Sequence, residues 1–285
     1  MTQEIKLLGN STATVEIVRN EQDKLLVKKS CAGKYASRLL TQINKQKEFK
    51  DFEGIKTPKI FEVITSNDYT EFKMEYVNGL DFVSFTNLAD KNDFIEVVQK
   101  LVKLINFEFE NSHIDKFPKD LWTNKVKQVI ADSMKLVNVD FYVLEKHLLE
   151  NTPDNLFIGK CHGDLTFSNI IVERQKTVYT FDFLDPPIES PYEDAAKFLQ
   201  DAQFFWSLQK FSGECDKTKV KVYWSFAAEL LINSLSIKCD MLLLKKFQLL
   251  GILRIIPYTK DKSKLKFLES CLQELLNDFN STMCR

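Results

Sequence analysis

Apolar and polar residues alternate with a period of two in the opening part of the chain. Within residues 5–29 the runs TVEIV and KLLVK each fit a strand, and the polar RNEQD between them fits a turn. Residues 60–64 and 69–76 predict two more strands around a polar turn. Residues 36–52 lie between these pairs and repeat apolar positions at three and four, which predicts an amphipathic helix.

Helical spacing dominates the rest of the chain. Apolar residues recur at three and four in 93–110, 125–137 and 140–150, and residues 219–285 keep a helical pattern throughout. One exception lies between them, where the runs IIVE and TVYTF flank the polar residues 174–176 and predict a hairpin. The pattern therefore predicts an α+β chain, with a small antiparallel sheet and one helix before a larger, mostly helical part.

Composition narrows the class of protein. The chain has 285 residues, of which 44% are hydrophobic, so it can bury a substantial core. Its 39 basic and 40 acidic residues nearly cancel, and no basic run is long enough to follow a phosphate backbone, which argues against a nucleic-acid partner. The first ten residues do not resemble a signal peptide, and charges interrupt the longest apolar region, 241–256. We expect a cytoplasmic protein without a membrane partner.

The six cysteines show no CxxC pair and no metal-ligand spacing, which is typical of reduced thiols. Cys161 lies beside the most informative motif of the chain and could be taken for a nucleophile. We expect it to be a small buried residue instead, as free cysteines usually are.

That motif is CHGDLTFSN at residues 161–169, followed by FDFLD at 181–185. It supplies Asp164, an asparagine five residues later at 169, and a second aspartate at 182. Phosphoryl transfer needs such a set, because one carboxylate receives the hydroxyl proton while an asparagine and an aspartate hold magnesium on the phosphates. We therefore predict Asp164 as the catalytic residue and Asn169 and Asp182 as the metal ligands. His162 is expected to order the loop and not to transfer protons.

The hairpin gives this prediction a geometric basis. If its turn centres on Gln175 and Lys176, Asn169 lies directly across from Asp182. Facing side chains in an antiparallel ladder are about 5 Å apart at Cβ, so one metal ion could bridge the two residues.

The sequence HGDLTFSN followed by FDFLDPPIESPYEDAAKF resembles the aminoglycoside phosphotransferase and choline kinase superfamily. The resemblance covers about residues 159–201 and implies a two-lobed protein-kinase-like fold. It implies a nucleotide-binding lobe at 1–77 and a catalytic and substrate-binding lobe at 78–285. Asp194, in EDAAKF, is expected to cap its helix or to brace the catalytic loop through backbone N–H groups.

The resemblance also implies ATP as the phosphate donor and Mg²⁺ as its partner. Lys28 is placed where a kinase strand offers its nucleotide-binding lysine, with Lys29 as the competing choice. Glu48 is the only glutamate available in the following helix to pair with that lysine, and Gln42 or Gln46 could take its place.

Two further segments would contact the nucleotide by the same resemblance. The turn containing Gly9, Asn10, Ser11 and Thr12 would fold over the phosphates with its N–H groups. Backbone groups of Glu75, Tyr76 and Val77 would hydrogen-bond the base, and such contacts leave GTP open beside ATP.

The motifs leave the hydroxyl-bearing small-molecule substrate and the oligomeric state open. The turn FLDPPIESP resembles kinases associated with bacterial surface-polysaccharide and capsule gene sets, so a sugar or polyol is the first expectation. A choline-like alcohol comes second, an aminoglycoside third, and a nucleotide-binding pseudokinase scaffold is the alternative from another class. Phe204, Phe205 and Trp206 could suggest an aromatic cage for a quaternary ammonium, but consecutive helical residues cannot all face one cavity, so we expect core packing.

Overall fold

A five-stranded antiparallel sheet occupies the N-terminal part of the molecule. The computed structural model describes residues 5–7 and 13–283. The strand order is β1-β2-β3-β6-β5. Strands β1, β2 and β3 pair in chain order, and β6 lies between β3 and β5. The five strands are β1 (Ile5–Leu7), β2 (Thr14–Arg19), β3 (Leu25–Ala32), β5 (Ile60–Ser66) and β6 (Tyr69–Glu75).

One helix, α1 (Ala36–Glu48), packs on this sheet. Leu39 and Ile43 lie four residues apart, so they share one face of α1, and both are buried. They form a small apolar core with Cys31, Phe72 and Met74 of the sheet. This core is separate from that of the larger part and makes the N-terminal sheet a layer of its own.

The larger part is mostly helical and surrounds α6 (Pro191–Ala202), every residue of which is buried. α6 packs chiefly against α8 (Lys217–Leu235) and α9 (Met241–Leu253), and α3 (Lys91–Glu110) packs against α8. The helices are α2 (Phe82–Leu88), α3 (Lys91–Glu110), α4 (Lys119–Ser133), α5 (Phe141–Leu149), α6 (Pro191–Ala202), α7 (Trp206–Lys210), α8 (Lys217–Leu235), α9 (Met241–Leu253) and α10 (Lys262–Met283).

Two small sheets lie within the larger part. One has the order β4-β11-β10-β7, from β4 (Ile55–Lys56), β7 (Leu80–Asp81), β10 (Ile170–Val172) and β11 (Val178–Thr180). The other pairs β8 (His113–Lys116) with β9 (Asn155–Ile158). Ile55 of β4 is buried in the larger core, so the chain enters that core once before β5 and β6 complete the N-terminal sheet.

The predicted α+β fold class is confirmed, with a small antiparallel sheet, one helix on it and a larger helical part. The segment 219–285 is not one continuous helical run, because breaks near Ser236 and Arg254 divide it into three helices. No helix in the described ranges 5–7 and 13–283 is long and apolar enough to cross a membrane.

Candidate active site

The 161–169 loop depends on a glycine for its path. Gly163 has φ +83°, a conformation that residues with a Cβ rarely adopt. A Cβ at this position would lie 2.4 Å from the carbonyl oxygen of Leu184. Leu184 also contacts the loop through its N–H group, which donates to the His162 carbonyl at 2.9 Å. The glycine therefore lets the loop lie against the segment that follows Asp182.

Two carboxylates of helix α6 fix the position of the 161–169 loop. Asp194 accepts the backbone N–H groups of His162 at 2.5 Å and Gly163 at 2.7 Å. Asp201, seven residues later on the same helix face, accepts the N–H of Phe167 at 2.7 Å. The prediction that Asp194 braces the loop is confirmed, and Ser190 is the residue that caps the helix instead.

Asp164 lies between these two anchors. Its carboxylate accepts the Asn169 Nδ2–H at 3.0 Å and forms an ion pair with Lys197 of α6, with Nζ 3.1 Å from Oδ1. Burial alone would raise the pKa of Asp164, but the Lys197 ammonium outweighs it and holds the pKa below its ordinary value. Asp164 is therefore an ionised hydrogen-bond acceptor at neutral pH.

His162 is buried, and its contacts hold the imidazole ring in one orientation. Its Nδ1 accepts the Asp164 N–H at 3.2 Å, which places the proton of the neutral ring on Nε2. Nε2 is buried and has no hydrogen-bond partner among the described residues, and the ring stacks on Phe183 at 4.1 Å. Burial lowers the pKa of His162 and keeps the ring neutral. These contacts support the prediction that His162 orders the loop.

A second buried acid, Glu108 of α3, lies behind Asp194. Burial raises the pKa of Glu108 well above its ordinary value, and the Asp194 carboxylate adds to the shift. Burial also raises the pKa of Asp194, while the N–H groups of His162 and Gly163 favour its ionised form. We therefore place the shared proton on Glu108, which donates to the ionised Asp194. No motif in the sequence indicates this pair, because Glu108 lies in an ordinary amphipathic helix.

The hairpin is confirmed, but its predicted register is wrong by one residue. Ile170 pairs with Thr180, and the Phe181 N–H donates to the Asn169 carbonyl at 3.2 Å, so Asn169 faces Phe181 and not Asp182. The cause is Lys176, whose φ of +58° closes a three-residue turn with an extra bulged position.

Asp182 is the next residue and turns out of the ladder. Its φ is +62°, a left-handed conformation uncommon outside glycine and concentrated at functional sites. Its side chain is 42% exposed, and Oδ1 accepts from Lys29 Nζ at 2.7 Å. The backbone thus directs the Asp182 carboxylate towards the N-terminal sheet.

Lys29, and not Lys28, is the lysine that reaches this carboxylate, which corrects the sequence prediction. Lys28 pairs across the strand with Glu16 at 2.7 Å, on the opposite face of β3. Lys29 shares its face with Val27 and Cys31, which pack towards α1, and it is only 5% exposed. Leu26 shares the face of Lys28 and is buried. Burial of this one neighbour therefore does not identify the lysine that reaches Asp182.

The predicted Glu48 partner is also wrong. Glu48 is the last residue of α1, is exposed and pairs with Lys160 at 2.6 Å instead of with Lys29. Gln42, one of the predicted alternatives, accepts from Lys29 Nζ at 3.5 Å. The other, Gln46, is buried and donates to the Pro58 carbonyl at 2.8 Å.

A further lysine of α1 ties the helix to the segment after Asp182. Lys45 Nζ donates to the Leu184 carbonyl at 2.7 Å and pairs with Glu189 at 2.9 Å. Burial would lower the pKa of Lys45, but the surrounding acids raise it, so the ammonium keeps its charge. The Glu189 carboxylate is thus engaged by Lys45.

Residues 75–77 are the connection after β6. The Glu75 N–H donates to the Lys59 carbonyl at 2.9 Å, so this amide is part of the sheet. The Val77 carbonyl accepts from the Gly79 N–H at 3.2 Å, and Val77 itself is buried. Asn10 and Ser11, predicted to contact phosphates, lie outside the described residues with Gly9 and Thr12.

Two expectations about bystander residues are confirmed. Cys161 is buried, and burial raises the pKa of its thiol well above the ordinary value, which removes the thiolate a nucleophile would need. Phe204 and Trp206 are buried in the large core and Phe205 packs partly buried against it, which confirms core packing, but the three residues lie at the break between α6 and α7 and not along one helix.

Solved structures share this architecture. A ternary complex of an aminoglycoside phosphotransferase with AMP-PNP and hygromycin B matches with a TM-score of 0.61 at 9% identity, over 96% of this chain and 93% of that one. A glucosamine kinase matches with 0.59 at 10% identity, over 97% and 94%. A choline kinase from Streptococcus pneumoniae matches with 0.56 at 12% identity, over 97% and 93%.

These matches show that the chain has the two-lobed kinase-like fold, which confirms the resemblance predicted from HGDLTFSN at the level of the fold. Neither a protein-family model nor a curated protein sequence matches the chain.

Proposed function

We propose that the chain is an ATP- and Mg²⁺-dependent phosphotransferase that acts on a hydroxyl group of a small molecule. The observation that carries the proposal is one group of contacts: Asn169 donates a hydrogen bond to Asp164, and Asp182 forms an ion pair with Lys29. A scaffold would have no need of this set of groups. The kinase-like fold brings them together from both parts of the chain, as phosphoryl transfer requires.

In this proposal Asp164 orients the acceptor hydroxyl and receives its proton. The bond from the hydroxyl oxygen to the γ-phosphorus forms as the bond from that phosphorus to the β,γ-bridging oxygen breaks, and ADP leaves. Because the Lys197 ammonium lowers the pKa of Asp164, this carboxylate is a weak base. A weak base suffices if the transition state is loose, since the proton then leaves late and alignment supplies most of the acceleration.

Asn169 and Asp182 are the residues that would hold magnesium. Magnesium prefers oxygen ligands, and the exposed Asp182 carboxylate supplies them. Asn169 turns its Nδ2 to the backbone carbonyl and the carboxylate of Asp164, at 2.9 and 3.0 Å, which leaves Oδ1 as its free oxygen. When bound, the metal ion would neutralise charge on the β- and γ-phosphates.

Lys29 would bind the α- or β-phosphate, with Gln42 holding its ammonium in place. The Glu75 carbonyl and the Val77 N–H remain as base contacts in residues 75–77, since the Glu75 N–H belongs to the sheet. Asn10 and Ser11 stay in the proposal as phosphate contacts. The nucleotide would thus lie between a lobe of residues 1–77 and a lobe of 78–285.

A sugar or related polyol of bacterial surface-polysaccharide metabolism is the proposed acceptor. The support is the FLDPPIESP resemblance together with a glucosamine kinase among the structures that share the fold. Choline-type and aminoglycoside-type alcohols are the alternatives within the same reaction.

The Lys29→Met variant is expected to bind Mg-ATP roughly 10- to 100-fold more weakly, because a charge-assisted contact to phosphate is worth about 1.5–3 kcal/mol. Lys28→Met is the matched control, one residue away with an identical change, and is expected to bind within about twofold of the wild type, since that side chain lies on the opposite face of β3 and pairs there with Glu16. Isothermal titration of both proteins measures the difference. Equal losses would refute the assignment of Lys29.

The Asp182→Asn variant tests the metal site. We expect the magnesium concentration that gives half-maximal ATP binding to rise at least tenfold, because one anionic ligand becomes neutral. Binding of ATP without magnesium should not weaken, since the removed charge repels phosphate. A magnesium titration identical to that of the wild type would show that Asp182 holds no metal.

A further inference from the structure

Helix α6 turns one face towards the 161–169 loop. Asp194, Lys197 and Asp201 are spaced at three and then four residues, so they share that face. The two aspartates accept backbone N–H groups of the loop. Lys197 lies between them and contacts a side chain of the loop, with Nζ 3.1 Å from Asp164 Oδ1. The helix therefore holds both the loop backbone and the Asp164 carboxylate.

The core fixes the position of Lys197. Every residue of α6 is buried, and the helix packs chiefly against α8 and α9. Lys197 itself is only 7% exposed, so its side chain has little room for other rotamers. A lysine on an exposed loop would lose its rotamer freedom on reaching a substrate, whereas Lys197 loses it when the chain folds.

Asp164 is the ionic partner of Lys197. Across residues 13–279, no other carboxylate lies within ion-pair distance of this ammonium group. The two aspartates on the same helix face accept N–H groups instead. The ammonium of Lys197 is thus directed at Asp164.

The contacts of Asp164 divide its two oxygens between two partners. Oδ1 faces Lys197, and Oδ2 accepts the Asn169 Nδ2–H at 3.0 Å. A partial rotation of the carboxylate about its Cβ–Cγ bond would weaken both contacts, so the two partners fix its plane. The Asp164 side chain is still 24% exposed, which leaves room for a hydroxyl group to approach it.

Stability alone does not explain a lysine at this position. Burying an ammonium group costs solvation free energy, and replacing a buried ion pair with apolar residues is often neutral or stabilising. A methionine has nearly the same length and would fill the same space without that cost. The neighbours on either side in α6, Ala196 and Phe198, are apolar and buried. The charge of Lys197 is therefore explained by its effect on Asp164.

On the basis of the proposed function, we propose that Lys197 is a positioning residue for phosphoryl transfer. It orients the Asp164 carboxylate towards the acceptor hydroxyl and affects turnover only through that carboxylate. Asn169 holds the second oxygen of the same group. A carboxylate held in this way meets the hydroxyl in the productive orientation, which is where alignment contributes to the rate.

Double-mutant kinetics test the inference. The readout is ADP formation from radiolabelled Mg-ATP, with glucose, glucosamine, choline or water as the acceptor. We expect Lys197→Met to lower kcat by about 10- to 100-fold, because misplacing a reacting group costs about that much, and to leave the KM for ATP within about threefold. In the Asp164→Asn background the same change should lower kcat by less than about twofold, because the carboxylate that Lys197 orients is then absent.

Two further variants separate positioning from folding. Lys197→Arg keeps the positive charge and should recover kcat to within about fivefold of the wild type. Lys238→Met is the matched control, because it removes a lysine of the same kind from an ion pair with Glu110 and should leave kcat unchanged. Titration with Mg-ADP verifies that each variant is folded, and Lys197→Gln replaces the methionine variant if the latter binds no nucleotide.

Failure of the inference is distinguishable from failure of the proposed function. A kcat for Lys197→Met within about twofold of the wild type would overturn the inference and leave the kinase intact. A loss that is equally large in the Asp164→Asn background would also overturn it, since Lys197 would then act through the fold and not through the carboxylate. Absence of ADP formation by the wild-type chain with every acceptor, water included, would refute the proposed function and the inference with it.

Discussion

Replacing Asp164 with asparagine is expected to lower kcat by about two to four orders of magnitude, the range that a positioned proton acceptor contributes. Asparagine keeps the shape of the side chain and one acceptor oxygen, and the 161–169 loop should keep its path because Asp194 and Asp201 still accept its backbone N–H groups. The affinity for Mg-ATP should stay within about threefold, because Asp164 is not one of the proposed metal ligands. Steady-state kinetics and nucleotide titration on the same preparation measure both quantities.

Asp132→Asn is the matched control for this variant. Asp132 lies on the exposed face of α4 and loses the same single charge. Its kcat should equal that of the wild type. A kcat for Asp164→Asn within fivefold of the control would remove Asp164 from the mechanism, and so would a parallel collapse of nucleotide binding.

Asp194→Asn is expected to reduce the free energy of unfolding by roughly 2–4 kcal/mol, since a buried charged acceptor of two N–H groups is lost. An amide has one acceptor oxygen, so its NH₂ group would face one of the two donors. Glu108 would also lose the carboxylate that accepts its proton. Denaturant unfolding measures the loss, and kcat should fall with it because the 161–169 loop is no longer fixed.

Glu108→Gln serves as the companion variant, because it keeps a donor towards Asp194 and removes the buried titration. The pKa of Glu108 is raised in the folded state from an ordinary value of 4.5, so the folded state binds more protons than the unfolded state above that pH. Its contribution to stability is thus present below about pH 4.5 and is lost as pH rises through the folded pKa. We expect the glutamine variant to be more stable than the wild type at pH 8 and to show a shallower decline. A stability that falls equally in both proteins, or an Asp194→Asn protein as stable as the wild type, would contradict the account of this pair.

Local signals explain what the sequence predicted correctly. The 161–169 loop, the hairpin and Asp194 are marked by residues close together in the chain, such as the positive-φ glycine at 163. The predicted hairpin register was wrong because the bulged residue Lys176 takes a left-handed conformation. A lysine in the sequence does not indicate that conformation.

Tertiary contacts explain what the sequence could not predict. Choosing between Lys28 and Lys29 depends on which face of β3 packs towards α1, and both faces carry apolar neighbours. Lys197 acts through an ion pair across 33 positions, and Glu108 through a contact across 86, as the residue numbers show. Asp201 lies near the end of α6 and no sequence motif marks it, although it holds the 161–169 loop and the start of α7.

The most direct test of the central claim is acceptor-dependent ADP formation from Mg-ATP by the purified wild-type chain, measured over neutral, anionic and cationic alcohols. The account predicts turnover that requires both magnesium and a hydroxyl acceptor, with a phosphorylated alcohol recovered in equal amount to ADP. Tight Mg-ATP binding with no acceptor-dependent turnover across all three classes would contradict it, and the chain would then be a nucleotide-binding protein built on a kinase-like fold.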